Sequence, residues 1–166
     1  MNIDKAYPLT QGPEEGKTIS VVGGTYRILV SGDDTQGAFA MIDMLIPPGG
    51  GPGPHAHAHF AETFYILEGE VEVKSEAGRY MAQKGSFVTI PKGGLVHCFT
   101  NKTQAIAHLL CTVVPAGIEK FFEEVGQPVP YGEFLPSPVM DKAYITKLQA
   151  IAARYGQEIF PPDYLD

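Results

Sequence analysis

The sequence is organised around Gly49-Gly-Gly-Pro-Gly-Pro-His55-Ala-His57-Ala-His59-Phe-Ala-Glu62-Thr-Phe-Tyr-Ile-Leu-Glu-Gly69. This stretch contains three of the chain's five histidines in a window of five residues, and a carboxylate follows three positions after the last of them. In an extended segment, residues two apart point to the same side, so His55 and His57 can converge on one point. Imidazole and carboxylate groups bind divalent transition metals. The stretch therefore predicts a metal site.

The composition is that of a single globular domain that can bury a core. The chain has 166 residues, of which 44% are hydrophobic and 19% are charged. Its 19 glycines and 14 prolines are typical of short strands joined by frequent turns. No apolar run approaches the ~20 residues of a membrane-spanning helix, and the N-terminus lacks a signal-peptide pattern. We therefore expect a cytoplasmic protein that makes no membrane contact.

The net charge argues against a nucleic-acid-binding protein, and the cysteine pattern indicates core residues. The net charge is −7, whereas nucleic-acid binding requires clustered Lys and Arg. The two cysteines, Cys98 and Cys111, lie in apolar strand-like segments and form no Cys-x-x-Cys pair. We interpret them as small core residues, with thiol chemistry as the alternative.

Short strand patterns recur through the first two thirds of the chain, where apolar and polar residues alternate between turns. The predicted strands are 18–22, 25–31, 38–46, 63–67, 70–73, 80–82, 87–90, 97–100 and 104–114. Many strands at short spacing indicate an all-β fold, an antiparallel β-barrel or jelly roll. We expect an N-terminal arm over 1–17, the barrel over 18–115 and a helical extension over 116–166.

The hydrophobic period changes after residue 115. Ile118, Phe121, Phe122 and Val125 follow helical spacing, which predicts a short amphipathic helix. A second helix is predicted to begin after a cap at Asp141 and to end at Gly156. Each helix must bury its apolar side, either on the outside of the barrel or against a second subunit.

Two motifs frame the middle of the chain. The first reads His55-x-His57-x4-Glu62-x6-Gly69, with Gly49 six residues before it. The second reads Gly85-x5-Pro91-Lys-Gly-Gly-Leu-Val-His97-x3-Asn101, and its histidine lies 35 residues after Glu62. Together they resemble the two motifs of the cupin superfamily in order and spacing. The second motif carries one extra residue between its proline-glycine turn and its histidine.

The resemblance implies a metal held inside a β-barrel by three histidines and a glutamate. On the matching positions these are His55, His57, Glu62 and His97. Such a set suits one divalent transition metal ion, whether Fe, Mn, Ni, Co, Cu or Zn, and leaves one or two coordination positions open. The alternative is a metal-free barrel, in which each buried imidazole would need its own polar partner.

The sequence does not assign a single role to three further polar residues. His59 is predicted at the pocket mouth or bonded to a ligand, with replacement of His55 in the ligand set as the alternative. His108 is interpreted as a core or pocket histidine. Asp43 interrupts an apolar strand, either at a solvent-facing strand end or in a hydrogen bond to a ligand histidine.

An apolar pocket is predicted beside the metal site. Phe64 and Ile66 share the strand face of Glu62, and Phe99 shares that of His97. With His59 at the mouth, these residues would line a cavity for a flat aromatic or other hydrophobic ligand. The alternative is that they are ordinary core residues.

Within the superfamily, the chain resembles small single-domain cupins related to quercetin 2,3-dioxygenases. The Pro-Pro-Gly-Gly-Gly run, the Phe-Tyr-Ile-Leu-Glu-Gly strand and the Phe-Phe-Glu-Glu helix carry this resemblance. It implies oxygenolytic opening of a flavonol ring, with Glu62 as the catalytic residue that accepts the enol proton. The implied partners are a small-molecule substrate, dioxygen and a second copy in a homodimer. The alternatives are a metal-dependent isomerase or lyase, and a non-catalytic small-molecule-binding cupin.

Overall fold

The computed structural model describes residues 7–166; the first six residues of the predicted arm lie outside this range. The strands are β1 (Lys17–Val21), β2 (Gly24–Val30), β3 (Ala40–Ile46), β4 (His55–His57), β5 (Ala61–Glu68), β6 (Glu70–Ser75), β7 (Gly78–Gln83), β8 (Phe87–Ile90), β9 (His97–Thr100), β10 (Ala107–Val114), β11 (Gln127–Pro128) and β12 (Gln157–Ile159). The helices are α1 (Ile118–Val125) and α2 (Lys142–Arg154).

The strands form two antiparallel sheets with the connectivity of a jelly roll. The larger sheet has the order β11-β1-β2-β3-β10-β5-β8, and the smaller has the order β12-β4-β9-β6-β7. From β3 to β10 the chain passes repeatedly between the two sheets, which do not close into one continuous barrel. The predicted all-β jelly roll with two C-terminal helices is confirmed.

Alternation along the central strands explains how the sheets enclose a core. On β10, four residues have no exposed surface: Ala107, Leu109, Cys111 and Val113. The residues between them are half-buried and face outward. On β5, Glu62, Phe64 and Ile66 point inward in the same way. A period of two therefore places Glu62 among apolar side chains, as its strand position predicts.

Both predicted helices are present, and both pack into the same core as the strands. Asp141 caps α2 by accepting a hydrogen bond from the Tyr144 backbone N–H at 2.8 Å. The buried residues of the helices include Ile118, Phe121 and Phe122 of α1 and Leu148, Ile151 and Ala152 of α2, all of which belong to the core cluster. Over residues 7–166, no helix has the length and apolarity needed to cross a membrane.

Three short strands, β4, β11 and β12, were not among the predicted strands. β11 pairs with β1, and β12 pairs with β4, the strand that carries the first histidines. Each has at most three residues, which is too few to display a period of two. Their extended form depends on hydrogen bonds to a neighbouring strand, so no local pattern reveals them.

Asp43 takes neither of the two roles considered for it. Its carboxylate is buried and accepts hydrogen bonds from Arg27 Nε at 3.1 Å and Nη2 at 2.6 Å, while its other oxygen contacts His108 Nε2. The Arg27 guanidinium also donates to the Gly12 carbonyl at 3.1 Å, which ties down the N-terminal segment. Burial alone would raise the pKa of Asp43, but the bonds from His108 and Arg27 outweigh it and lower the pKa.

The Arg27–Asp43 pair predicts a large stability effect. Replacing Asp43 with Ala leaves a buried guanidinium without its counter-charge, so we expect the free energy of unfolding to fall by about 3–5 kcal/mol. Urea denaturation monitored by circular dichroism measures this change. As a control, Glu68→Ala removes one partner of the exposed Lys84–Glu68 pair and should leave the midpoint nearly unchanged. Equal effects of the two variants would contradict this assignment.

Candidate metal centre

Four side chains from both sheets converge inside the fold. His55 and His57 lie on β4 and His97 on β9, all in the smaller sheet, whereas Glu62 lies on β5 in the larger sheet. All four are buried, and one ligand atom from each lies within 4.8 Å of the others. The chain leaves β4 after His57 and enters the other sheet at β5, which brings Glu62 round to the histidines. The structure thus brings together all four residues predicted as ligands.

The three imidazoles are held in the same way. Nδ1 of His55 donates to the Gly53 carbonyl at 2.8 Å, Nδ1 of His57 to the Phe60 carbonyl at 2.9 Å, and Nδ1 of His97 to the Leu95 carbonyl at 2.9 Å. A carbonyl oxygen only accepts hydrogen bonds, so the proton of each neutral ring sits on Nδ1. This leaves every Nε2 with a lone pair, which is the form that binds a metal.

A glycine-rich loop sets the position of β4 against β9. The Gly49 N–H donates to the Asn101 carbonyl at 2.7 Å, and the Asn101 N–H donates to the Gly50 carbonyl at 2.8 Å. Gly51 has a φ of 134°. A Cβ at this position would lie 2.0 Å from the Phe99 carbonyl oxygen. The loop can therefore approach β9 only as glycine, and it delivers the chain to His55 across from His97, its register partner.

The arrangement of donor atoms fits a cation. Glu62 Oε2 lies 3.4 Å from His57 Nε2 and 3.5 Å from His97 Nε2. Two ligands that each lie about 2.0–2.2 Å from one metal are separated by roughly 3–3.5 Å. His97 Nε2 is buried and, among the described residues, has no hydrogen-bond partner. Electron-rich atoms this close and this buried are suited to hold a cation between them.

Electrostatics keep these groups in their metal-binding forms. Burial, followed by the neighbouring His97, lowers the pKa of His55 to about 4, so its imidazole is neutral near pH 7. Burial would raise the pKa of Glu62, but the histidines beside the carboxylate outweigh it and lower the pKa well below its ordinary value. Neutral imidazole and ionised carboxylate are the states that bind divalent ions.

Cys111 contributes more than core volume. Its buried thiol lies 3.5 Å from Glu62 Oε1 and can donate a hydrogen bond to it. Burial, followed by the nearby Glu62 charge, raises the pKa of Cys111 well above its ordinary value, so it remains a protonated donor. The strand pattern predicted a buried cysteine. Its contact with Glu62 depends on the pairing of β10 with β5, which the sequence does not reveal.

A cavity opens beside His55 and Glu62. Of the four predicted pocket residues, Phe64 and Phe99 line it, with ring centroids 5.2 Å apart in an edge-to-face arrangement. Ile66 is fully buried in the core and does not line the cavity. His59 is exposed and does not line the cavity, because β4 ends at His57 and the chain turns away. His108 lies outside the cavity, bonded to Asp43.

Comparison with known proteins supports this architecture. Residues 42–113 match the family described as the Cupin domain. Over 125 residues the chain is 26% identical to quercetin 2,3-dioxygenase from Bacillus subtilis (strain 168). That similarity covers 75% of this chain but only 36% of the Bacillus protein.

Solved structures share the fold. One is a sugar phosphate isomerase from a cupin superfamily of Silicibacter pomeroyi, at 22% identity and a TM-score of 0.54, covering 63% of this chain and 73% of that one. Another is a predicted oxalate decarboxylase from Thermotoga maritima, at 22% identity and a TM-score of 0.55, covering 62% of this chain and 94% of that one. At this level of identity the likeness concerns the fold alone.

The low pKa of His55 predicts a pH effect on the metal-free protein. The unfolded state takes up a proton near pH 6.5, whereas folded His55 resists protonation down to about pH 4. Stability is therefore lost as pH falls, with a contribution from His55 on the order of 2 kcal/mol between pH 7 and pH 5. Urea denaturation with EDTA at both pH values should show a smaller loss for His55→Gln than for the parent. His59→Gln, at an exposed position, should lose as much stability between the two pH values as the parent does. If His55→Gln also loses as much as the parent, this assignment is wrong.

Proposed function

The chain belongs to the cupin superfamily, and on that premise we propose that it is a metal-dependent dioxygenase. The substrate class is a flavonol-like or other aromatic, enol-bearing small molecule. The observation that carries this proposal is the buried group of three imidazoles and one carboxylate beside an apolar cavity. The groups needed to hold a reactive ion and the space needed to receive a hydrophobic substrate are adjacent.

His55, His57, Glu62 and His97 would hold the ion. Three imidazoles and a carboxylate suit Fe, Mn, Ni, Co, Cu and Zn, so the donor set does not select one of them. When bound, the ion supplies Lewis acidity toward an enol oxygen and, if redox-active, a route for electrons to dioxygen. The Nδ1 hydrogen bonds to backbone carbonyls hold the three rings in place for this task.

Glu62 is the proposed base. Its carboxylate lines the cavity, so it can accept the proton of an enol hydroxyl that binds there. The Cys111 thiol holds Oε1 while His57 and His97 flank Oε2. Apolar neighbours such as Phe64 and Phe99 exclude water, which strengthens the interaction between the carboxylate and the enol.

Sequence similarity favours oxygenase chemistry over the alternatives. The relative at 26% identity is a quercetin 2,3-dioxygenase, and the similarity spans 75% of this chain. Glu62 as a proton acceptor is also consistent with isomerase or lyase chemistry. The isomerase and the predicted decarboxylase named above, however, share only the fold with this chain, at 22% identity.

Oxygen consumption tests the proposal. Protein loaded in turn with Fe, Mn, Ni, Co and Cu is assayed with an oxygen electrode against flavonols, catechols and single-ring enolones. Glu62→Gln keeps the side-chain shape and removes the base, so we expect oxygen uptake to fall about 100-fold or more. The control is Glu158→Gln, the same change at an exposed position of β12.

Three outcomes would contradict the proposal. If no loaded form consumes oxygen with any member of the panel, the dioxygenase assignment fails. Turnover that continues without oxygen would indicate an isomerase or a lyase instead. Binding without turnover, unaffected by Glu62→Gln, would indicate a non-catalytic binding protein.

A further inference from the structure

The C-terminal segment closes one side of the cavity. The part of it that lines the cavity, here called the C-terminal wall, consists of Met140, Ile145, Leu148, Gln157, Ile159, Phe160 and Pro162. The opposite side comes from the strands and includes Tyr26, Phe64 and Phe99. The cavity is therefore made jointly by the jelly roll and by a segment that follows residue 113, the last residue of the family match. This wall lies outside the residues that match the family.

β12 brings the wall directly alongside the candidate ligands. Gln157 pairs with His57, and Ile159 pairs with His55 in the antiparallel register. Side chains of directly opposed residues point to the same side of a sheet. The Phe160 N–H extends the attachment by donating to the Pro54 carbonyl at 2.9 Å. Gln157 and Ile159 are thus fixed next to the metal-binding histidines.

The chemistry of the lining selects against charged ligands. Among the described residues that line the cavity there is no Lys or Arg, and the polar side chains are His55, Glu62, Tyr26 and Gln157. A phosphate group buried away from the metal would have no cation to pair with, and burying an unpaired charge is costly. Two neutral hydrogen-bonding groups remain for a substrate, the Tyr26 hydroxyl and the Gln157 amide.

The size of the cavity limits the substrate further. Its volume is ≈ 150 Å³, about that of an apolar protein cavity known to take up one benzene molecule. One six-membered ring fits within the walls, whereas the additional rings of a flavonol would have to extend out through the mouth. The lining of Phe, Met, Ile and Leu side chains matches the face of such a ring.

We propose that the C-terminal wall determines substrate specificity and that the site selects an uncharged single-ring enolone. The enol and ketone oxygens face His55 and Glu62, and the Gln157 amide hydrogen-bonds a polar substituent of the ring. The enolone part of this assignment rests on the proposed function. The preference for a neutral, ring-sized ligand follows from the cavity itself and is independent of the reaction.

Binding to zinc-loaded protein tests the wall without requiring turnover, since zinc is not redox-active. The probes are 5-hydroxy-2-(hydroxymethyl)-4-pyranone, its analogue 5-hydroxy-2-methyl-4-pyranone, and fructose 6-phosphate, each measured by isothermal titration calorimetry. The hydroxymethyl probe should bind the parent protein more tightly than the methyl analogue does. Fructose 6-phosphate should not bind measurably.

Gln157→Leu should weaken binding of the hydroxymethyl probe about 5- to 10-fold, the loss expected for one hydrogen bond. It should change the affinity for the methyl analogue by no more than about twofold, because that ligand lacks the hydrogen-bonding substituent. The matched control is Gln83→Leu at an exposed position of β7, in the same sheet. If Gln157→Leu does not fold, Gln157→Asn shortens the reach of the amide and should show the same selective loss.

An equal loss for both pyranones would overturn the role of Gln157, and tight binding of fructose 6-phosphate would overturn the preference for neutral ligands. These results are distinct from failure of the dioxygenase assignment. If the pyranones bind as described but no oxygen is consumed, the specificity proposal stands and the proposed reaction does not.

Discussion

The structure depends on holding three imidazoles and a carboxylate close together in its buried interior. Hydrogen bonds to backbone carbonyls place the protons of the three rings on Nδ1 and turn each Nε2 toward the same centre. Glu62 Oε2 approaches two of these nitrogens to 3.4 and 3.5 Å. Lone pairs and negative charge repel each other at such distances unless a cation lies among them. The fold has therefore placed three imidazoles and a carboxylate in a buried arrangement that suits a metal ion.

The jelly roll makes this arrangement possible because it brings two sheets face to face. The histidines come from one sheet and the glutamate from the other, so the cluster forms only when the sheets have packed together. The apolar alternation of β5 and β10 drives that packing and at the same time buries Glu62 and Cys111. The glycine-rich loop fixes the remaining degree of freedom, the approach of β4 to β9, through its bonds to the Asn101 backbone.

Much of this arrangement can be predicted from the sequence because it is encoded locally. The spacing of His55, His57 and Glu62 and the period-two strands are visible in short windows of residues. Contacts set by register are not visible in this way. Asp43 meets Arg27 because β2 and β3 pair at those positions, and Gln157 meets His57 because a three-residue strand adds to a sheet edge. His59 lies two residues beyond His57 in the sequence, but the strand ends at His57 and His59 is exposed.

Metal coordination tests the central claim most directly. X-ray absorption spectroscopy of zinc-loaded protein counts imidazole nitrogens and carboxylate oxygens around the ion, and we predict three imidazoles and one carboxylate in a single site. The same measurement on His97→Ala should lose one imidazole, while His59→Ala should give the parent spectrum. A spectrum with fewer than three imidazoles, or one that changes with His59→Ala and not with His97→Ala, would contradict this account.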